Sequence, residues 1–507
     1  MLTRISCLVL LVIAAAPTRS QIVPVITSTG AVPFTGPGLI EMAELHDIDG
    51  DGLRDLVMRT ELPLQFATQH NLGGGAFGAP KYASTIAEDV IDETFTDVDG
   101  DGVLDVVLGN PPGDNVNLCV LLGDAAGGFA LWVAMNNGSL NSPPVAVGDV
   151  DGDGDADIVS PTLLQLAANL QAGSGFTFAK LSAVAEPVGE PILADFDVDG
   201  DLDVAQASDS LDLDQAETTL RLSLGDGEGG FSNVQVMSLD VRVQRTQTVH
   251  LNADGLPDLL VFGLPGTSSG EGGLYLLENQ GGTLQLGQHD SLDALGALTR
   301  DACGADLNGD GCSELIIVRD STNEIRMNDS DFDFPVVVPF SGPVDAAFGL
   351  ADDVDGDQLA DVVVLEIPAG PTETWNFWHN ATTVPPTWTD LGQGLAGVSG
   401  VPQLGAQGLL FALQPFELAL SGAAPGALAA LVVSGTAIDV PFKGGTFVPA
   451  PDFIFWLVTP PTGALDITAT WPNGLPAGTQ VVMQAWIPDA QGPQGFAASN
   501  ALLGVVH

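Results

Sequence analysis

Apolar residues in this chain come in short bursts, and after the first twenty residues none recurs at the three-to-four spacing of an amphipathic helix. Bursts such as "PVAV", "DVVL", "CVLL" and "LYLL" have the length and residue types of short strands. They follow a fixed order: an apolar stretch, an acidic segment, a β-type run ("DLV", "DVVL", "DIVS") and a third strand. Most repeats then show a Gly-rich turn, and a fourth strand leads onward. Four of these turns end in an aromatic residue, at Phe77, Phe129, Phe176 and Phe231.

Seven acidic segments punctuate the order: "DIDGDGLRD", "DVDGDGVLD", "DVDGDGDAD", "DFDVDGDLD", "HLNADGLPD", "DLNGDGCSE" and "DVDGDQLAD". They begin at Asp47, Asp97, Asp149, Asp195, His250, Asp306 and Asp353, successively 50, 52, 46, 55, 56 and 47 residues apart. A period near 50 residues marks a repeat architecture. Four short strands per repeat, seven times, predict an all-β fold with a seven-bladed β-propeller over residues 21–385, in preference to a β-solenoid. The segment "IVPVITS" is positioned to give the last blade its outer strand and so close the ring, which removes exposed edges. Past the Pro/Gly-rich "TTVPPTWTDLGQG" the acidic segments stop. Runs such as "FELALSG", "ALAALVVSG", "FIFWLV", "LDITATW" and "VVMQAWI" predict a second, sandwich-like all-β domain over 386–507.

Charge sharpens this picture. The chain has 65 acidic and 13 basic residues, for a formal net charge of −52. Phosphate binding needs cationic side chains, so nucleic acid is excluded as a main partner. An apolar content of 45% with regularly clustered acids argues against disorder. The N-terminus reads as a secretory signal over residues 1–20: Arg4 is basic, Ile5 to Ala16 form a short apolar run, and Thr18 and Ser20 suit a cleavage site. No later segment is long and apolar enough to be a membrane helix. The expected location is therefore secreted or cell-surface. Cys7 falls in the leader, and Cys119 reads as a buried strand residue. The spacing of Cys303 and Cys312 leaves a bridge between them open.

Alternation is what gives the acidic segments their chemistry. Positions 1, 3, 5 and 9 can turn their carboxylates on one point while the carbonyl at position 7 adds another oxygen. Calcium accepts six to eight oxygen ligands in irregular geometry, whereas magnesium demands a near-ideal octahedron and zinc favours His or Cys. The first two loops offer Asp47, Asp49, Asp51 and Asp55 with Leu53 at position 7, and Asp97, Asp99, Asp101 and Asp105 with Val103. The third and fourth offer Asp149, Asp151, Asp153 and Asp157 with Asp155, and Asp195, Asp197, Asp199 and Asp203 with Asp201. The fifth departs: His250 stands at position 1, leaving Asn252, Asp254 and Asp258, so this loop is expected to be weak or empty. The sixth substitutes Asn308 and Glu314 beside Asp306, Asp310 and Cys312. The seventh has Asp353, Asp355, Asp357 and Asp361 with Leu359, but Gln358 replaces the turning glycine, with Asp352 placed to compensate. About five to seven calcium ions are expected. Metal binding would offset the repulsion among these acids and become folding energy.

These loops, with the "DLV"-type strands and Gly-rich turns that follow, resemble the FG-GAP/VCBS repeat family, which includes integrin alpha-chain propellers, some fungal lectins and propeller domains of certain polysaccharide lyases. The resemblance covers roughly residues 22–385. It implies a calcium-bound seven-bladed propeller whose metal positions are the loop residues just named. The C-terminal part is similar to modules that end secreted bacterial proteins. Neither resemblance selects a function, since the fold hosts several.

An enzyme acting on acidic polysaccharides needs cations and a base, and both are scarce here: the lysines are Lys81, Lys180 and Lys443, and the tyrosines Tyr82 and Tyr275. His46, His70 and His379 read as ordinary loop residues. Trp375 and Trp378, three apart, fall on opposite strand faces and read as core. The favoured function is an exported, calcium-binding propeller that holds an extracellular protein or glycan. A polysaccharide-active enzyme and a purely structural surface protein are the alternatives.

Overall fold

A computed structural model of the protein describes residues 23–506 except 35–38, 62–64, 75, 85–91, 110–117, 125, 136–145, 155, 161–162, 169–176, 181–189, 210–217, 266–272, 291–298, 320–321, 330–331, 341–345, 358, 368–372, 383–386, 409, 411–414 and 472–478. The expected signal peptide with Cys7 lies outside the described residues, as do Asp155, Phe176 and Gln358. Apart from one 3-10 turn at Pro493–Gly495, every regular element described is a strand, so the fold is all-β. No described helix is long and apolar enough to cross a membrane.

Seven of the sheets have four antiparallel strands each. The first comprises Leu39–His46, Asp55–Glu61, Gln65–Gln69 and Lys81–Ser84 in that order. In all seven the acidic loop joins the first strand to the second, and the second strand begins at loop position 9: Asp55, Asp105, Asp157, Asp203, Asp258, Glu314 and Asp361. The first strands touch in sequence from the second sheet to the seventh, and the seventh sheet's touches the first sheet's. The remaining junction, between the first and second sheets, is made by Val57 and Phe66 packing with Phe95 and Val106.

The seventh sheet is built from both ends of this region. Ala346–Asp352, Asp361–Glu366 and Glu373–Asn380 are joined by Ile26–Phe34, which pairs antiparallel with Glu373–Asn380. The closing strand thus begins within "IVPVITS" and extends six residues beyond it.

Second strands are buried on both faces, because each sheet is stacked between two others. Val362, Val363, Val364 and Leu365 are all fully buried, which is why this run is continuously apolar rather than alternating. Each such side chain contributes about 1.5–3 kcal/mol by leaving water. Trp375 and Trp378 do face opposite ways. Trp375 packs toward the first sheet with Phe34 and Met58, and Trp378 toward the sixth with Ile316 and Ile325. Cys119 is buried in its strand, and Cys303 and Cys312 are both buried and form no disulfide with each other. Burial pushes the Cys303 thiol up to about 12.

Strands from Trp388 to Val505 form three further sheets. A five-stranded sheet runs Trp388–Gly392, Phe496–Val505, Gln480–Pro488, Leu428–Ser434, Phe453–Val458. It faces a three-stranded sheet of Gln403–Gln407, Pro415–Ser421 and Leu465–Thr470 across a core that includes Leu418, Leu420, Leu431 and Met483. The third is a hairpin, Ala437–Phe442 with Gly445–Pro449. The five apolar runs named from sequence all fall on strands. The shorter strands at 388–392 and 403–407 and the hairpin lacked a long enough run to be seen.

Candidate metal centres in the interstrand loops

Each acidic loop is folded by its own carboxylates. In the first, Asp47 Oδ1 accepts from the Gly50 and Asp51 amides (2.8 and 3.1 Å), and its Oδ2 accepts from Gly52 (2.9 Å). Asp49 Oδ1 accepts from the Asp51 amide at 3.2 Å, and Asp51 Oδ1 from Leu53 at 2.9 Å. These bonds turn the chain tightly, and Gly50 and Gly52 take φ of 74° and 89° to follow it. One carboxylate oxygen on Asp51 is left over from this bonding, and Asp49 Oδ2 lies 2.9 Å from His70 Nδ1. Equivalent bonds recur at Asp97, Asp99 and Asp101, at Asp306, Asn308 and Asp310, and at Asp353, Asp355 and Asp357.

Position 9 has a second job. Its carboxylate is buried and spans two strands: Asp105 Oδ2 accepts from Val98 (2.9 Å) and Oδ1 from Gly123 (2.9 Å). The same pair of bonds holds Asp55, Asp203, Asp258 and Asp361. Burial raises the pKa of these carboxyls against the pull of their amide donors, to about 6 for Asp105 and Asp361 and about 7 for Asp258. The sixth loop is the most enclosed. Burial, with the charge of Asp310 and Asp306 added, pushes Glu314 up to about 9, and burial with Asp310 takes Asp306 to about 6. Among described residues, Asp47/Asp49/Asp51, Asp97/Asp99/Asp101 and Asp149/Asp151/Asp157 each place three ligand atoms within 4.8 Å of one another. These three sets are all-oxygen and fit a hard cation, whereas in the first and seventh loops His70 joins Asp49 and Asp55, and His379 joins Asp355 and Asp361, in mixed sets with an imidazole.

The departures also have explanations. His250 Nδ1 lies 3.0 Å from the Leu256 carbonyl, the position-7 oxygen that would face a metal, and burial holds this histidine below its ordinary range. The imidazole therefore crosslinks the fifth loop internally where other loops offer a carboxylate. In the fourth loop Val198 stands where most loops have glycine and is forced to φ 60°, a strained conformation for a β-branched residue. Asp352 divides its carboxylate: Oδ1 accepts from the Asp353 amide at the start of the seventh loop (2.9 Å), and Oδ2 pairs with Arg54 Nε at 3.0 Å.

Two features escaped the sequence reading. His70 and His379 are not ordinary loop residues. His70 Nδ1 lies 2.9 Å from Asp49 Oδ2, and His379 Nδ1 lies 2.9 Å from Asp355 Oδ2, in the first and seventh loops. The second feature is a set of buried asparagines at the end of third strands: Asn71, Asn279, Asn328 and Asn380. Asn279 Nδ2 donates to the Pro257 carbonyl of its own sheet (3.1 Å) and to the Phe196 carbonyl in the preceding sheet's acidic loop (2.7 Å). Asn71, Asn328 and Asn380 bridge neighbouring sheets in the same way. An "N" before a glycine or polar turn, as in "ENQGG" and "HNAT", was the available signal. Replacing Asn279 with Ala removes its bonds to the Pro257 and Phe196 carbonyls, of which the second keeps the Gly282 amide at 2.9 Å, and is expected to cost about 1–3 kcal/mol. Asn279→Asp should cost at least as much, because it sets a carboxylate against those carbonyls. Denaturant unfolding of both variants measures this.

Comparison with known proteins adds the following. The FG-GAP-like repeat family matches at residues 47–108, 97–160 and 250–317. No curated protein matches the chain. Among solved structures, one that resembles it is an Agrocybe aegerita lectin described as recognising non-reducing terminal N-acetylglucosamine, at 18% identity and TM-score 0.44, covering 64% of this chain and 84% of that one. Another is the Photorhabdus luminescens Tc holotoxin pore, at 16% identity and TM-score 0.37, covering 90% of this chain, which spans 20% of that one.

Proposed function

We propose that this chain, which carries FG-GAP-like repeats in an all-β fold, is an exported calcium-binding propeller that holds an extracellular protein or glycan ligand. The observation that supports its calcium half most directly is the convergence of three carboxylate oxygens within 4.8 Å in each of the first three acidic loops. Aspartates at positions 1, 3 and 5, the carbonyl at position 7 and the position-9 carboxylate would hold each ion. The ion would supply a positive charge that cancels their repulsion and would act as a strut between first and second strands. Five or six ions are expected, with none in the fifth loop, where His250 already occupies the Leu256 carbonyl. Metal analysis of the dialysed mature chain tests this number. A ratio near zero overturns the calcium reading.

Ligand holding rests on the repeat architecture, which presents a broad face of loops between sheets. Export rests on the leader-like first twenty residues. A binding screen of the calcium-loaded chain against glycans, polysaccharides and matrix proteins tests the ligand. Saturable binding without turnover supports a recognition module. Turnover of a polysaccharide would favour the enzyme reading, and binding to nothing the structural one.

A further inference from the structure

The five-stranded sheet of the C-terminal region has two unlike faces. One is sealed by the three-stranded sheet. The other is covered at one end by the hairpin, whose Phe442 and Phe447 rings lie 5.0 and 5.8 Å from the Trp486 ring. Beyond the hairpin Ile454, Trp456 and Val458 stand 44%, 63% and 65% exposed. A trough of about 520 Å³ runs between the hairpin and the sheet. Leu428, Ala430, Val432, Ile454 and Trp456 lie on its sheet side. Ile438, Val440, Phe442 and Phe447 lie on its hairpin side. No lining side chain is charged, and the indole N–H of Trp486 is already donated to Gln484 Oε1 at 2.9 Å.

One cation stands at this trough. Lys443 is the only Lys or Arg in residues 386–507, in a chain of net charge −52. It occupies the hairpin turn at φ 48°, and its Nζ lies 5.0 Å from the Phe496 ring centre and 6.0 Å from that of Phe442, both rings of the trough wall. The hairpin therefore carries its positive charge to the rim of an apolar recess.

We propose that the trough binds a single-chain anionic amphiphile, a long-chain fatty acid, with its acyl chain along the apolar walls and its carboxylate at Lys443. The volume falls within the range of about 300–1,000 Å³ typical of small-ligand sites. A recess admits one chain, whereas insertion into a bilayer needs a protruding apolar surface. The proposal stands apart from the metal loops and from the propeller's ligand.

The test uses the full mature chain in calcium and follows tryptophan emission, since Trp456 and Trp486 line the trough. Dibromostearate should quench part of the emission saturably, and unbrominated stearate should compete it off. Affinity for C8 to C16 carboxylates should rise about two- to fourfold per methylene, as acyl burial requires. Trp456→Gln, at an exposed position, should weaken binding by roughly tenfold with an unchanged melt. Lys443→Gln should weaken the carboxylate about three- to tenfold while leaving hexadecanol binding unchanged. The proposal is overturned if dibromostearate does not quench, or if neither variant alters its affinity. Capture of phosphatidylglycerol vesicles without binding of monomeric fatty acid would overturn it too. So would self-association that Trp456→Gln abolishes.

Discussion

Chelating calcium from the mature chain is expected to lower its melting temperature by about 10–15 °C. A site held at a hundred times its Kd stabilises the folded state by about 2.7 kcal/mol. With an unfolding entropy of about 2.1 cal/mol/K per residue, each kcal/mol moves the melt of a chain of this length by about 1 °C. Five sites then account for about 13 °C, and more if the freed carboxylates repel one another within each loop. Calorimetry with and without chelator measures the shift. Re-adding calcium should restore the melt, and magnesium should do so poorly, because these loops do not impose octahedral geometry. An unchanged melt would mean that the amide bonds to Asp47 and its counterparts suffice to hold the loops without an ion.

The second large effect separates two kinds of carboxylate within a loop. Asp101→Ala removes a carboxylate proposed to bind the metal, which otherwise accepts from the exposed Val103 amide and contacts Asp99 within the loop. Its cost should be plain in calcium and nearly vanish in chelator. Asp105→Ala removes a proposed ligand and also strands the buried amide of Val98 and the part-buried amide of Gly123. Each unpaired buried donor costs about 1–3 kcal/mol, so this variant should lose about 3–5 kcal/mol and keep most of that loss in chelator. Denaturant midpoints of both variants, each with and without calcium, give the comparison. Equal behaviour of the two in chelator would show that position 9 acts through the metal alone.

Much of this was legible in the sequence, because a repeat states its rule seven times. The second strands could be placed to the residue, since each opens on the last acid of its loop. Interactions that bridge repeats were harder to read. Asn279 pairs with Phe196, 83 residues earlier, and no local pattern connects a lone asparagine to a carbonyl in the preceding sheet. His70 and Asp49 are 21 residues apart and meet only because the third strand returns beside the loop. Asp352 bonds the loop beside it as adjacency suggests, but its pairing with Arg54, almost 300 residues earlier, had no local signal. In the C-terminal region strands without a repeat had to be judged singly, and the hairpin Ala437–Phe442, with all six residues exposed, gave no burial pattern to recognise.

The strand Ile26–Phe34, hydrogen-bonded to Glu373–Asn380, has a consequence for the order of events during synthesis. The first residues of the mature region to emerge wait for a partner made some 350 residues later. Until then the seventh sheet lacks a complete set of strands and the first sheet lacks one neighbour, so the sheets cannot close on one another before Asn380 has been made. Closing so long a loop is entropically slow. Assembly should therefore end in a late, cooperative step, and loss of a few residues from the start of the mature chain should damage the far end of the ring as much as the near one.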